Sequence, residues 1–199
     1  MMILVFGGSG SGKSAYAEKR IMELSGGKKT VYYLATMQVY GEEGRKKVRR
    51  HHELRRDKGM LTLERPRDVA EVIPKLTAEE NKRGEGNDVA RGGVCVLLED
   101  LGNLVANEMF LEDGIMIPKE AVAEKILTQV RVLCGAVSHL VIVSNNVFED
   151  GIAYDEGTHD YVLALGSLHE ALAREAAEVV EVVAGIPVFI KGGQRRTEQ

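Results

Sequence analysis

Gly7-Gly8-Ser9-Gly10-Ser11-Gly12-Lys13-Ser14 follows directly on the apolar run Met2-Ile3-Leu4-Val5-Phe6, and this conjunction admits few folds. Five consecutive apolar residues read as a buried strand. Ser14 to Met22 is rich in helix formers. Between them stands the spacing G-x-x-x-x-G-K-S, a glycine-rich strand-to-helix turn. Its backbone N–H groups can converge on phosphate oxygens at a helix N-terminus, with a lysine for the β/γ-phosphates and a hydroxyl for Mg²⁺. A glycine-rich turn without a ligand is the plain alternative, and it leaves the lysine and the hydroxyl unexplained. The expected ligand is a nucleoside triphosphate held by Gly7, Gly8, Ser9, Gly10, Ser11, Gly12, Lys13 and Ser14.

Strand-like and helical patterns alternate along the chain, which predicts a mostly parallel sheet covered on both faces. Strands are expected at Met2–Phe6, Val31–Ala35, Val94–Leu98, Leu140–Ser144 and Val179–Val183, with a further short one at Met60–Leu63. Val188–Ile190 follows too closely on the preceding strand for a crossover helix, so it is expected to return antiparallel at the sheet edge. Helices are expected at Lys13–Leu24, Glu42–Lys58, Arg67–Leu76, Lys119–Ala136 and Glu156–Ala177. The fold class is therefore an α/β P-loop NTPase of RecA-like type, a three-layer sandwich with an antiparallel edge strand. At 199 residues the chain fits one domain, 1–199, with Thr77–Gly93 an exposed polar loop and Gly192–Gln199 a frayed tail.

The composition narrows the setting. Hydrophobic residues at 44% and charged residues at 28% match a globular protein bathed in water. A net charge of −4 speaks against a nonspecific nucleic-acid binder. Cys95 and Cys134 lie in apolar and helical runs and read as reduced core thiols, not a disulfide framework. The apolar N-terminus lacks a basic leader and no run reaches membrane-spanning length, so a cytoplasmic protein is expected.

Two further features carry chemistry. The run Val94 to Leu98 ends in Glu99-Asp100, and either acid could hold Mg²⁺ or its waters beside the phosphate loop. The stretch Arg45 to Lys58 is strongly basic and contains His51-His52. On a helix Lys47, His51 and Arg55 share one face. One reading is a solvated basic helix. The other places its cations over the triphosphate, where they keep an imidazole neutral and able to attack phosphorus. Adjacent histidines point about 100° apart on a helix and seldom share a metal. His139, His159 and His169 carry no ligand spacing.

These pieces resemble a known family, the bifunctional adenosylcobinamide kinase / adenosylcobinamide-phosphate guanylyltransferases of cobalamin biosynthesis. The resemblance runs from Met2 to about Lys191. Besides the phosphate loop it rests on Tyr33-Leu34-Ala35-Thr36, on Val48-Arg49-Arg50-His51-His52 and on Leu61-Thr62-Leu63-Glu64-Arg65-Pro66. It continues through Leu97-Leu98-Glu99-Asp100-Leu101 with Asn107, Val143-Ser144-Asn145, and Ala184-Gly185-Ile186-Pro187. It implies phosphorylation of the aminopropanol hydroxyl of adenosylcobinamide by ATP or GTP. GMP then passes from GTP to that phosphate through a GMP–histidine intermediate, with release of pyrophosphate. The implied acceptor is His51, and Lys13 of the phosphate loop is the second expected catalytic residue. Leu34, Ala35, Thr36, His52, Glu53, Leu54, Arg55, Glu64 and Glu99 are implied nucleotide contacts, while the loop and the acidic strand end make Ser14 with Glu99 the expected Mg²⁺ site. The resemblance also implies a homo-oligomer, such as a trimer, with small corrinoid substrates and neither nucleic acid nor a membrane span.

Several positions depart from the family's common pattern. Gly10 stands where an arginine is frequent, Lys47 where an arginine is, Asp100 where a cysteine is, Asn146 where a glutamate is, and His169 where an asparagine is usual. None removes Lys13, His51 or Glu99. Two other readings remain open at this level: a nucleotide-binding switch without covalent chemistry at His51, and a nucleic-acid-stimulated ATPase using the basic helix.

Overall fold

The computed structural model describes residues 1–38, 58–81, 93–148 and 154–193. Among these, seven strands form one sheet in the order β3-β2-β4-β5-β1-β6-β7. The strands are β1 (Met2–Gly7), β2 (Thr30–Ala35), β3 (Met60–Glu64), β4 (Val94–Glu99), β5 (His139–Asn145), β6 (Glu178–Val183) and β7 (Ile186–Lys191). All pairings are parallel except β6 with β7, which is antiparallel at the edge as the short connection requires. The expected strand at Met60 is present and forms the opposite edge against β2.

The central strands are near-continuous apolar runs because helices cover both faces. Helix α1 (Lys13–Ser25) lies on one face, where Ala17 and Ile21 join Ile3, Val5, Val31, Tyr33, Leu97, Val141 and Val180 in one core cluster. The other face carries a 3₁₀ turn (Val69–Val72), α2 (Ile73–Asn81), α3 (Leu101–Met109), α4 (Lys119–Ala136) and α5 (Glu156–Glu175). Their buried residues, among them Leu76, Leu104, Ile126 and Leu168, close a larger core over Leu4, Leu34, Leu98 and Ile142. The result is a three-layer P-loop NTPase sandwich.

Three expectations need correction. The helix expected at Arg67–Leu76 starts later, because Asp68 takes a left-handed backbone conformation (φ 50°) and Pro74 lacks the N–H that a continuous helix would use. A 3₁₀ turn fills the gap, and α2 then runs on through Thr77 to Asn81, residues expected to be loop. Helix α3 was not foreseen. It is short and has glycine at its second position, yet it buries Leu101, Leu104, Val105 and Met109 and is capped by Asp100, whose carboxylate accepts from the Asn103 N–H at 2.6 Å. Helix α5 ends at Glu175, two residues short of the expected Ala177. The expected helix Glu42–Lys58 lies almost wholly outside the described residues, as do most of the expected loop Thr77–Gly93 and of the expected tail Gly192–Gln199. Cys95 is buried and Cys134 half-buried, and both are free thiols.

Candidate active site

The phosphate loop leaves β1 at Gly7 and enters α1 at Lys13. Its turn is closed by the Ser11 N–H donating to Gly8 O at 3.2 Å, and helical bonding starts with the Tyr16 N–H on Gly12 O at 3.0 Å. Two positions can only be glycine. A Cβ on Gly7 would sit 2.5 Å from the Val182 carbonyl oxygen, and Gly12 has φ 91° with Gly185 Cα 3.2 Å from where its Cβ would be. The loop is thereby wedged against the β6–β7 turn, and the Gly185 N–H donates to Ser11 O at 2.8 Å.

Lys13 is buried, and its ammonium donates to Gly8 O at 3.2 Å, across the mouth of the loop. The Ser14 hydroxyl donates to Glu99 Oε1 at the end of β4. Of the two acids left open by the sequence, Glu99 faces the loop hydroxyl and Asp100 caps α3. Serine hydroxyl and carboxylate are hard oxygen donors of the kind Mg²⁺ takes, with water completing its shell, so the pair fits that ion. Among the described residues no group of three or more His, Cys, Asp or Glu could hold a metal by itself.

Register brings the other candidates to the same end of the sheet. Ala35 on β2 is opposite both Glu64 on β3 and Glu99 on β4, so the three lie in one row across adjacent strands. Thr36 follows, fully buried. Its hydroxyl donates to Asp100 O at 2.7 Å and accepts from the Asp100 N–H at 2.8 Å, while its own N–H donates to Glu99 O at 3.0 Å. Leu34 is 0% exposed and points into the core, so only its backbone can meet a ligand. His51, His52, Glu53, Leu54 and Arg55 lie outside the described residues, as does Lys47.

Sequence reasoning missed the polar groups behind this row. Asn107 on α3 donates to Thr36 O at 2.7 Å and to Pro66 O at 3.0 Å, tying together the exits of β2 and β3. The stretch that contains His51 leaves from the first of these exits, after β2, and re-enters the sheet at Met60, the start of β3. Asn107 is among the residues that carry the family resemblance, but its long-range pairing is invisible in one chain. The Asp100 carboxylate also meets Asn103 Nδ2 at 3.1 Å and Asn145 Nδ2 at 3.4 Å. Burial raises the Asp100 pKa, against the lowering influence of these donors and of Lys13. The Tyr161 phenol is pushed up to about 12 by burial and by the Asp100 charge. His169, another departure from the family pattern, shares a 2.6 Å hydrogen bond with Ser144 Oγ and packs between Phe6 and Phe148. Burial lowers its pKa to about 4, so the ring is neutral near neutral pH. Asn146 donates its N–H to Gly7 O at 3.0 Å and lines an open groove of about 720 Å³ that also borders Gly8–Ser11.

Among the described residues no helix is long and apolar enough to cross a membrane. The chain is 32% identical to the bifunctional adenosylcobalamin biosynthesis protein CobP of Pseudomonas aeruginosa, over 96% of this chain and 98% of that protein. It is also 32% identical to the bifunctional adenosylcobalamin biosynthesis protein CobU of Escherichia coli K12, covering 96% of this chain and all of that one. In fold it is similar to a KaiC-like protein of Pyrococcus horikoshii, with a TM-score of 0.50 at 12% identity, covering 99% of this chain and 81% of the other. The model of the cobinamide kinase / cobinamide phosphate guanyltransferase family matches residues 3–190. With the phosphate loop, the Ser14–Glu99 pair and the P-loop sheet in place, the chain belongs to the cobinamide kinase / cobinamide phosphate guanyltransferase family, transferases of cobalamin biosynthesis.

Proposed function

We propose that this enzyme phosphorylates adenosylcobinamide with a nucleoside triphosphate and then guanylylates the product through a covalent His51–GMP. The observation that carries the reading is the convergence of Lys13, the Ser14–Glu99 pair and the Ala35–Glu64–Glu99 row at one end of the sheet. The exit of β2, from which the stretch with His51 departs, is clamped there to the exit of β3 by Asn107.

In the first reaction the aminopropanol oxygen attacks the γ-phosphorus. The bond to the bridging oxygen breaks, the nucleoside diphosphate leaves, and the hydroxyl proton passes to solvent. Lys13 and the loop N–H groups hold the departing phosphates. In the second, the lone pair of neutral His51 attacks the α-phosphorus of GTP and pyrophosphate leaves. A phosphate oxygen of adenosylcobinamide phosphate then attacks the phosphoramidate, the P–N bond breaks, and His51 is regenerated. The covalent step divides one difficult displacement into two easier ones. Mg²⁺ held by Ser14 and Glu99 supplies charge neutralisation for the phosphates. Ala35, Thr36, His52, Glu53, Leu54, Arg55, Glu64 and the Leu34 backbone are the proposed contacts of the transferred nucleotide. The reading includes a cytoplasmic homo-oligomer that handles small corrinoids without nucleic acid.

The test uses GTP labelled at the α-phosphate. After denaturation the expected result is protein-bound label, stable in base and lost in acid, absent in His51→Ala and retained in His52→Ala. Absence of label during turnover would overturn the guanylyl-transfer route. Hydrolysis stimulated by single strands and suppressed by salt would favour the ATPase reading instead.

A further inference from the structure

A second groove opens on the flank of the phosphate loop away from β2 and β3. It has a volume of about 790 Å³ and lies between α1 and the β6–β7 hairpin. It begins at Gly12 and Ala15, where the loop enters the helix, and its walls include Tyr16, Pro187 and Phe189. Phe189 is 49% exposed, and Pro187 and Ala15 are exposed as well. The register explains why the ring faces this way. Phe189 is opposite Val180 and Pro187 opposite Val182, and both valines belong to the core on the α1 face.

The groove also has a fixed polar group. Arg20 is held by Glu178 in a two-point contact, Nη2 to Oε1 at 2.5 Å and Nε to Oε2 at 3.2 Å. A guanidinium so fixed offers a flat face of the kind that stacks on an aromatic ring. Tyr16, half-buried, stands one helical turn before it.

The direction of a bound triphosphate selects the occupant. Lys13 and Ser14 take the β- and γ-phosphates, which places the α-phosphate toward the first N–H groups of α1 and the nucleoside beyond it. That exit passes Ala15 and Tyr16, into this groove. The groove beside Gly8–Ser11 and Asn146 lies toward the start of the loop, away from that exit. Proline and aromatic side chains around an open slot suit the π-face of a base, and a planar arginine suits it equally.

We propose that this groove is the purine subsite of the phosphoryl-donating nucleoside triphosphate. It stands on the opposite flank of the loop from Ala35, Thr36, Glu64 and Glu99, which are proposed to hold GTP for guanylyl transfer. In the strand order, β6 and β7 lie on one side of β1, and β4, β2 and β3 on the other. One phosphate loop thus serves two base subsites, and the two nucleotides compete for it. This division of labour rests on the function proposed above, whereas the location of the base subsite does not.

Photolabelling with 8-azido-ATP, followed by peptide mapping, tests the location on the whole protein. The expected label is displaced by ATP and falls within Tyr16–Glu23 or Ile186–Lys191. Phe189→Ala is expected to weaken ATP, read as competition for the label, by about tenfold, with Phe189→Tyr restoring it. The same Phe189→Ala is expected to leave GMP labelling of His51 unchanged, and excess ATP to suppress that labelling in the wild type. ATP-displaceable label confined to other peptides would overturn the subsite. So would absence of displaceable label, as expected if a second copy of the chain covers Phe189. Label in the groove without any GMP on His51 would sink the guanylyl-transfer reading and leave the subsite standing.

Discussion

The Ser14 hydroxyl donates to the Glu99 carboxylate, joining the first turn of α1 to the end of β4. The two residues are 85 positions apart in sequence, and the parallel sheet places them side by side. A carboxylate here orients the hydroxyl, and in the proposed function it would also orient the waters of a metal bound by phosphate. Glu99→Gln keeps the shape and removes the charge. Turnover in both reactions is expected to fall about tenfold or more, with a higher Mg²⁺ concentration at half-saturation. Binding of metal-free nucleotide is expected to persist. A Mg²⁺ titration of turnover checks this, and an unshifted curve would remove Glu99 from the metal site.

Much of this end of the molecule was readable from the sequence because it is local. The phosphate loop is one contiguous motif, and each strand with a covered face announces itself as an apolar run. The antiparallel β7 followed from a connection too short to cross over. What escaped was set by tertiary contact. Helix α3 is nine residues long and carries a glycine and two asparagines, so its stability comes from burial of Leu101, Leu104, Val105 and Met109 more than from propensity. The start of α2 is decided by Asp68, whose left-handed backbone is held by Glu108 on another helix. The choice between Glu99 and Asp100 needed the direction of each side chain. No periodicity marks Asn107 as a clamp on two strand exits or Tyr161 as a neighbour of Asp100.

His169 gives the acid limb of stability a definite sign. Its folded pKa is about 4, below the ordinary histidine value of 6.5, because burial between Phe6 and Phe148 disfavours the imidazolium. The unfolded chain therefore binds more protons than the native one between those two values. Stability from this group is complete above about pH 6.5 and declines as pH falls toward 4, by up to about 3 kcal/mol at 1.36 kcal/mol per unit. His169→Gln is expected to flatten that limb. Denaturant melts at several pH values compare the slopes, and equal slopes would show that the ring does not titrate as a buried group.

Asp100 should act in the opposite direction. Burial raises its folded pKa, so its contribution is fully present below the unfolded value and is lost as pH rises through the folded one. Asn caps helices about as well as Asp and carries no charge to desolvate. Asp100→Asn is expected to preserve α3 and to increase stability at neutral pH relative to the wild type. The gain is expected to shrink as the pH is lowered into the carboxylate range. Chemical denaturation across that range measures it, and a gain independent of pH would assign the effect to packing.

Beneath the clamp formed by Asn107, Glu108 is almost wholly enclosed, its side chain 3% exposed. It accepts from the Asp68 N–H at 2.9 Å and pairs with Lys125 at 2.6 Å, and Lys125 also reaches Asp68 Oδ1 at 2.9 Å. Removing the cation alone leaves a buried carboxylate uncompensated. Lys125→Met is expected to cost about 1–3 kcal/mol, less than for a fully enclosed pair because water reaches the ammonium. Adding Glu108→Gln should recover part of the loss, since the amide oxygen still accepts from Asp68. The Lys125 hydrogen bond also lowers the Asp68 pKa. That contribution is present above the unfolded value and lost as pH falls through the folded one, so the deficit of Lys125→Met is expected to narrow in acid. A double-mutant cycle repeated at neutral and acidic pH tests the coupling. Additive effects at both would show that Glu108 and Lys125 act independently.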